Sequence, residues 1–241
     1  VWWDIIGLFR TGTSEKNRNS QNVSPTTRLL TMFYGIQRTT FVDFPGKIAT
    51  TLFTGGCNFR CPWCHNHDLV YPERVARLSP LDEEDIKAFL IKRKSQLEGV
   101  CITGGEPTLW GERLLSFLSW LKQTGYETKV DTNGSNPEWV EVALKEDVVD
   151  FFAMDIKHPW ESYHEAIGIN YDIERLKKTV SLIKESGKPH QFRTTLIPGL
   201  SKERMLAIAK EMDIEITFQT YRDPFFLAGG ESLLLAEGSP A

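Results

Sequence analysis

Cysteine is scarce. Four residues in 241 cannot brace a disulfide scaffold, and three of them, Cys57, Cys61 and Cys64, fall so close together that one metal centre is the better reading. That usage points to a reducing, cytoplasmic compartment. Neither sign of charge is in surplus: 28 Lys plus Arg against 32 Asp plus Glu leave −4, which provides no electrostatic footprint for nucleic acid or anionic lipid. No apolar run reaches the ~18–20 residues of a membrane-spanning helix, so a soluble chain with no membrane partner is expected. The opening Val1-Trp2-Trp3-Asp4 lacks the basic region and cleavage site of a signal peptide. Repeats of about 20–50 residues are absent too.

Between Arg10 and Thr31 only Val23, Leu29 and Leu30 are apolar, a composition that cannot offset its ordering entropy. Residues 1–31 are therefore expected to form a flexible leader. Met32 is a candidate start, and Val1 can equally be read from an alternative start codon. From residue 47 strand-like and helix-like segments alternate, the pattern of βα units around a parallel sheet. Strands are predicted at 48–53, 100–103, 127–131, 151–156, 192–197 and 214–219. The spacing predicts helices between them, with Ser79, Asn136, Asp172 and Ser201 as N-caps or openers. Six such units predict an α/β fold, an incomplete (β/α)6 parallel barrel, with reacting groups at the C-terminal ends of its strands. Residues 32–227 form that domain, and 228–241 are expected to be a tail.

Cys57-Asn58-Phe59-Arg60-Cys61-Pro62-Trp63-Cys64 places three soft thiolates in the loop after the first predicted strand. Three thiolates on a 4Fe–4S cubane leave one iron without a protein ligand, open to a substrate or cofactor. The same residues with His65 or His67 would also make a Cys3His zinc set. Gly104 and Gly105 lack a Cβ and can present backbone closely to a ligand, so a bulky residue at 105 is expected to block that approach without disturbing the thiolates. Asp131 and Asp155 end the third and fourth strands, where two neighbouring carboxylates need a cation between them, and Lys157 can supply it. Thr132 and Asn133 can bond a ribose or simply form an Asx turn closed by Gly134. Arg193, in an otherwise apolar strand, must face the lumen or an acidic partner. Cys101 reads as core, and His65 and His67 have no assigned role.

The cysteine spacing and the segment Thr103-Gly104-Gly105-Glu106-Pro107 together resemble the signature of the radical S-adenosylmethionine enzymes. With Cys64-His65-Asn66, Asp131-Thr132-Asn133-Gly134 and Asp155-Ile156-Lys157, the chain is similar to glycyl-radical-enzyme activating proteins, above all those of anaerobic ribonucleoside-triphosphate reductase. The resemblance covers residues 33–222, with His67 standing where the pattern has proline. It implies a 4Fe–4S cluster on Cys57, Cys61 and Cys64, and S-adenosyl-L-methionine among Trp63, Thr103, Gly104, Gly105, Glu106, Asp131, Thr132, Asn133, Asp155, Lys157 and Arg193. The implied reaction is reductive cleavage of that cofactor and formation of a glycyl radical on a partner enzyme. With no cysteines for a second cluster, a flavodoxin or ferredoxin must deliver the electron. The alternatives are a pyruvate formate-lyase activating enzyme, a small-molecule enzyme such as 7-carboxy-7-deazaguanine synthase, and a non-catalytic zinc module.

Overall fold

A computed structural model describes residues 31–222. The expected leader, apart from Thr31, and the tail lie outside the described residues. Seven strands form one sheet in sequential order: β1 (Phe33–Thr40), β2 (Ala49–Thr54), β3 (Gly99–Gly104), β4 (Glu127–Thr132), β5 (Phe151–Asp155), β6 (His190–Leu196) and β7 (Ile216–Thr220). The strands from β2 to β7 are parallel, and β1 pairs antiparallel with β2. The edges β1 and β7 do not pair with each other, so the barrel stays open, as the six-unit pattern predicts. β1 itself was not legible as a strand: its pairing with β2 carries two register shifts, which break the alternation that would reveal it.

Seven helices accompany these strands among the described residues: α1 (Pro72–Val75), α2 (Glu83–Arg93), α3 (Gly111–Gln123), α4 (Pro137–Lys145), α5 (Tyr163–Ile167), α6 (Ile173–Glu185) and α7 (Lys202–Met212). α3 buries Leu114, Leu118 and Leu121, and α6 buries Leu176, Val180 and Ile183, spacings that place each set on one helical face. They pack with Leu52, Val100, Ile102, Val130 and Phe152 from the sheet in one core. With the helical layer there, alternation along the strands turns Thr51, Cys101, Lys129, Asp131 and Arg193 towards the lumen. None of the described helices is long and apolar enough to cross a membrane.

Asn136, Asp172 and Ser201 cap α4, α6 and α7 by accepting from the amides of Trp139, Glu174 and Arg204. Ser79 does not cap α2. Asp82 does, accepting from Glu84 N at 2.8 Å and Asp85 N at 3.2 Å. The start moves because Leu81 is drawn into a β-bridge with Phe33, its amide donating to the Phe33 carbonyl at 2.9 Å, which holds the preceding residues extended. Asp82→Ala should therefore destabilise the fold by about 1 kcal/mol, whereas Ser79→Ala should stay within about 0.5 kcal/mol of the parent. Urea unfolding of the two variants checks this, and equal effects would contradict the cap assignment.

Candidate active site

The cysteine loop leaves the C-terminal end of β2, and several independent contacts fix it. The Gly56 amide donates to Leu69 O at 2.8 Å, the Glu106 amide to Gly56 O at 2.7 Å, and the Arg60 amide to Ile167 O at 2.7 Å. The Arg60 guanidinium donates back to the Cys57 and Phe59 carbonyls, and the indole N–H of Trp110 to Gly55 O. Phe59 is buried and packs edge-on against Tyr171. The thiols therefore ride on a rigid frame, which is what a preorganised ligand set requires.

Cys57, Cys61 and Cys64 are half-buried. Burial, with the Glu106 charge and the other thiols adding to it, pushes the Cys57 thiol up to about 12. Burial likewise pushes Cys64 to about 11, with Cys61 next in effect, and raises Cys61 against the opposing pull of Lys157. Without metal these groups are protonated at neutral pH, so a metal must displace protons to bind. A partial offset at Cys57 comes from the Phe59 amide, which donates to its sulfur at 3.4 Å, and Asn133 Nδ2 donates to the same sulfur at 3.8 Å. Among the described residues no group of three or more His, Cys, Asp and Glu side chains is disposed to hold a metal ion. His65 and His67 do not complete a zinc set either: His65 Nε2 lies 2.8 Å from Arg222 O, and His67 pairs with Asp68. Trp63 sits partly buried against the core.

The glycine pair acts through packing. Gly104, at φ +121°, would drive a Cβ into the Thr54 backbone, and a Cβ on Gly105 would collide with Gly56 O, one residue from Cys57. The Gly105 amide donates to Thr54 O at 2.9 Å. The expectation that position 105 can be filled without disturbing the thiolates is thus corrected: its missing Cβ lets β3 and the cysteine loop touch. Glu106 is wholly buried, and its carboxylate accepts from Thr108 N and Oγ1, Thr132 Oγ1 and the Asn133 amide. It ties the ends of β3 and β4 together, and those four bonds commit it to its own chain. Asn133 Oδ1 accepts from Ser135 N at 2.9 Å, the Asx-turn geometry, and Thr132 Oγ1 accepts from the Gly134 amide. Thr103 is buried, its carbonyl accepting from Thr54 Oγ1.

Asn66 carries the clearest sign of a missing ligand. Its Nδ2 donates to Gly104 O at 3.0 Å, while its Oδ1 is buried with no hydrogen-bond partner. A buried acceptor without a donor costs about 1–3 kcal/mol, so a ligand N–H or O–H at the end of β3 would fit there. Asn66 belongs to the motif read from the sequence, yet nothing there singled out its side chain.

The lumen holds a row of alternating charges. Arg193 Nε and Nη2 both reach Asp155 Oδ1 at 2.9 Å, and Nη1 reaches Asp131 Oδ2 at 3.3 Å. Lys157 Nζ bonds Asp155 Oδ2 at 3.3 Å, and Lys129 Nζ bonds Asp131 Oδ1. The cation between the two carboxylates is therefore Arg193, with Lys157 bonded to Asp155 alone, a correction to the sequence expectation that the register of β5 against β6 explains: Asp155 lies opposite Arg193. Burial alone would raise the Asp155 carboxyl, but Arg193 and Lys157 outweigh it and hold the group at about 2. Burial would lower the Lys157 ammonium, and Asp155 with Cys61 more than reverses that. Cys101 is buried beside Lys129 and Asp131, apart from the three loop thiols. Lys129 is the member of this row that sequence reading missed. A cavity of about 290 Å³ lies against the row, lined by Val42, Asp43, Pro45, Lys129, Asp131, Gln191, Arg193 and Gln219.

Residues 51–212 match the Radical SAM superfamily. A Methanocaldococcus jannaschii protein provisionally named a glycyl-radical enzyme activating enzyme is 30% identical over 193 residues, which are 78% of this chain and 75% of that protein. The pyruvate formate-lyase-activating enzyme of Streptococcus mutans is 28% identical over 66% of this chain and 63% of its own length. Among solved structures, native anSMEcpe with bound AdoMet superposes with a TM-score of 0.57 at 20% identity, covering 70% of this chain and half of that one. That likeness is one of fold.

The packing at Gly105 makes a prediction. Gly105→Val should lower iron loading of the reconstituted protein as well as cofactor affinity, whereas Cys101→Ala should retain about four irons per chain. Iron and sulfide assays distinguish the two, and full loading of the valine variant would contradict the contact with Gly56.

Proposed function

The chain belongs to the radical SAM superfamily, and on that premise we propose that it is an activating enzyme that places a glycyl radical on a partner protein, anaerobic ribonucleoside-triphosphate reductase. The superfamily uses a 4Fe–4S cluster and S-adenosylmethionine, and the residues present fit both. Cys57, Cys61 and Cys64 would hold the cluster, and Trp63 would flank the cofactor. Thr103, Gly104, Asn66 and the turn at Thr132 and Asn133 would receive it from the end of the sheet. Asp131, Asp155, Lys157 and Arg193 would surround it from the lumen. When bound, the cluster supplies the electron that cleaves the cofactor's C5′–S bond, giving the radical that takes a hydrogen atom from substrate.

This chain's own residues orient the site. Arg193 and Lys157 keep Asp155 ionised and fixed, and the glycine contact holds the thiol loop against the strand that faces the cofactor. Gly105 and Glu106 act in this reading as the frame of the pocket, Gly105 through its contact with Gly56 and Glu106 through the bonds that join β3 to β4. All four cysteines are accounted for without a second cluster, so a flavodoxin or ferredoxin would deliver the electron.

One observation carries the macromolecular substrate over a small one: the Methanocaldococcus jannaschii relative, 30% identical over 78% of this chain and 75% of its own length, bears the provisional name of a glycyl-radical enzyme activating enzyme. The cavity walled by Val42, Asp43 and Pro45 lies towards the N-terminal ends of the strands, away from the cysteine loop. Reduced protein with S-adenosylmethionine should therefore raise a persistent glycyl radical on anaerobic ribonucleotide reductase, seen by electron paramagnetic resonance as a doublet. A doublet on pyruvate formate-lyase alone would keep the class and change the partner. Failure on both, with turnover of 6-carboxytetrahydropterin to a deazaguanine, would replace the activase reading with the small-molecule one.

A further inference from the structure

Lys129 is a buried charge that the proposed chemistry does not use. It is 1% exposed, on a strand position that faces the lumen, with its ammonium on Asp131 Oδ1 and 3.6 Å from Cys101 Sγ. A lysine is a costly filler for such a place, because an apolar side chain of similar volume would avoid the desolvation of an ion. Its value must come from what the charge does for its neighbours.

Those neighbours share one guanidinium between two carboxylates. Arg193 directs Nε and Nη2 to Asp155 and Nη1 to Asp131. The guanidinium is planar and its N–H directions are fixed, so it can turn a pair of N–H groups onto only one of the two carboxylates and leaves a single N–H for the other. Asp131 is 7% exposed and, with Arg193 as its only cation, would draw the fork towards itself. Lys129 removes that competition by occupying Asp131 Oδ1 and leaving only Oδ2 for Arg193.

We propose that Lys129 is a positioning residue of the cofactor pocket: by neutralising Asp131 it commits Arg193 to Asp155, and so fixes where Asp155 and Lys157 stand beside the cysteine loop. The inference rests on the reading that Asp131, Asp155, Lys157 and Arg193 surround S-adenosylmethionine. It predicts that the effect of Lys129 passes through Asp131 and disappears when Asp131 carries no charge.

A double-mutant cycle tests this on reconstituted protein with the cluster oxidised, so that S-adenosylmethionine binds without turnover and calorimetry reads its affinity. Lys129→Met should weaken binding about tenfold, within the range of couplings in one charge network. Lys129→Arg, which keeps the charge, should recover most of that loss. The double variant Lys129→Met/Asp131→Asn should bind within about twofold of Asp131→Asn alone. Additive losses, or an unchanged affinity in Lys129→Met while Asp131→Asn weakens binding, would overturn the positioning role. Unchanged affinity in both Asp131→Asn and Arg193→Lys would overturn the pocket reading itself, a distinct result. If Lys129→Met does not fold, Lys129→Arg and the double variant still decide: a double variant that binds much more weakly than Asp131→Asn contradicts the proposal.

Discussion

The active end of this protein depends on keeping five ionised side chains together inside an unclosed barrel. Lys129, Asp131, Arg193, Asp155 and Lys157 alternate in sign and come from three neighbouring strands and the residue-157 turn. At an effective dielectric of about 20, unit charges 4 Å apart attract by about 4 kcal/mol, comparable with the several kcal/mol needed to desolvate each ion. No member stands without a partner of opposite sign, and removing either aspartate leaves a lysine without one. The open flank makes this balance necessary, since a closed apolar lumen could have done without charge, whereas a lumen that admits a polar cofactor and a substrate must present it in fixed positions.

The cysteine loop is bound to the same region through backbone contact. The Gly56 carbonyl meets Gly105 where a Cβ on Gly105 would have no room, and Glu106 joins the adjacent strand ends by accepting from Thr132 Oγ1 and the Asn133 amide. Asn133 extends the connection, donating to both Asn58 Oδ1 and Cys57 Sγ. Metal site and lumen are thus parts of one rigid frame. For radical chemistry that rigidity is functional, because a reactive species generated at the loop must meet its target hydrogen and not solvent.

Much of this was legible in the sequence. The caps at Asn136, Asp172 and Ser201, the parallel strands and the three-cysteine loop follow from local rules that the folded chain obeys. What was not legible depends on register. Arg193 shows in the sequence only as a charge in a strand; that it bridges Asp131 and Asp155 follows from which residue of β5 lies opposite it. Lys129 looks like an ordinary strand-end charge until Asp131, two residues on, is seen to share its face. Asp82 displaces Ser79 as a cap because a distant strand, β1, captures Leu81. Asn66 sits within a motif that was read, but an unpaired oxygen is visible only once everything around it has been placed.

The central claim is that this chain's thiol loop and lumen direct one radical event onto a glycine of another protein. The most direct measurement uses a partner enzyme labelled with α-deuterated glycine, activated anaerobically, with the 5′-deoxyadenosine recovered and weighed by mass spectrometry. The account predicts one deuterium in the product, appearing in step with the radical on the partner. Cleavage that yields only unlabelled 5′-deoxyadenosine in the presence of labelled partner would contradict it.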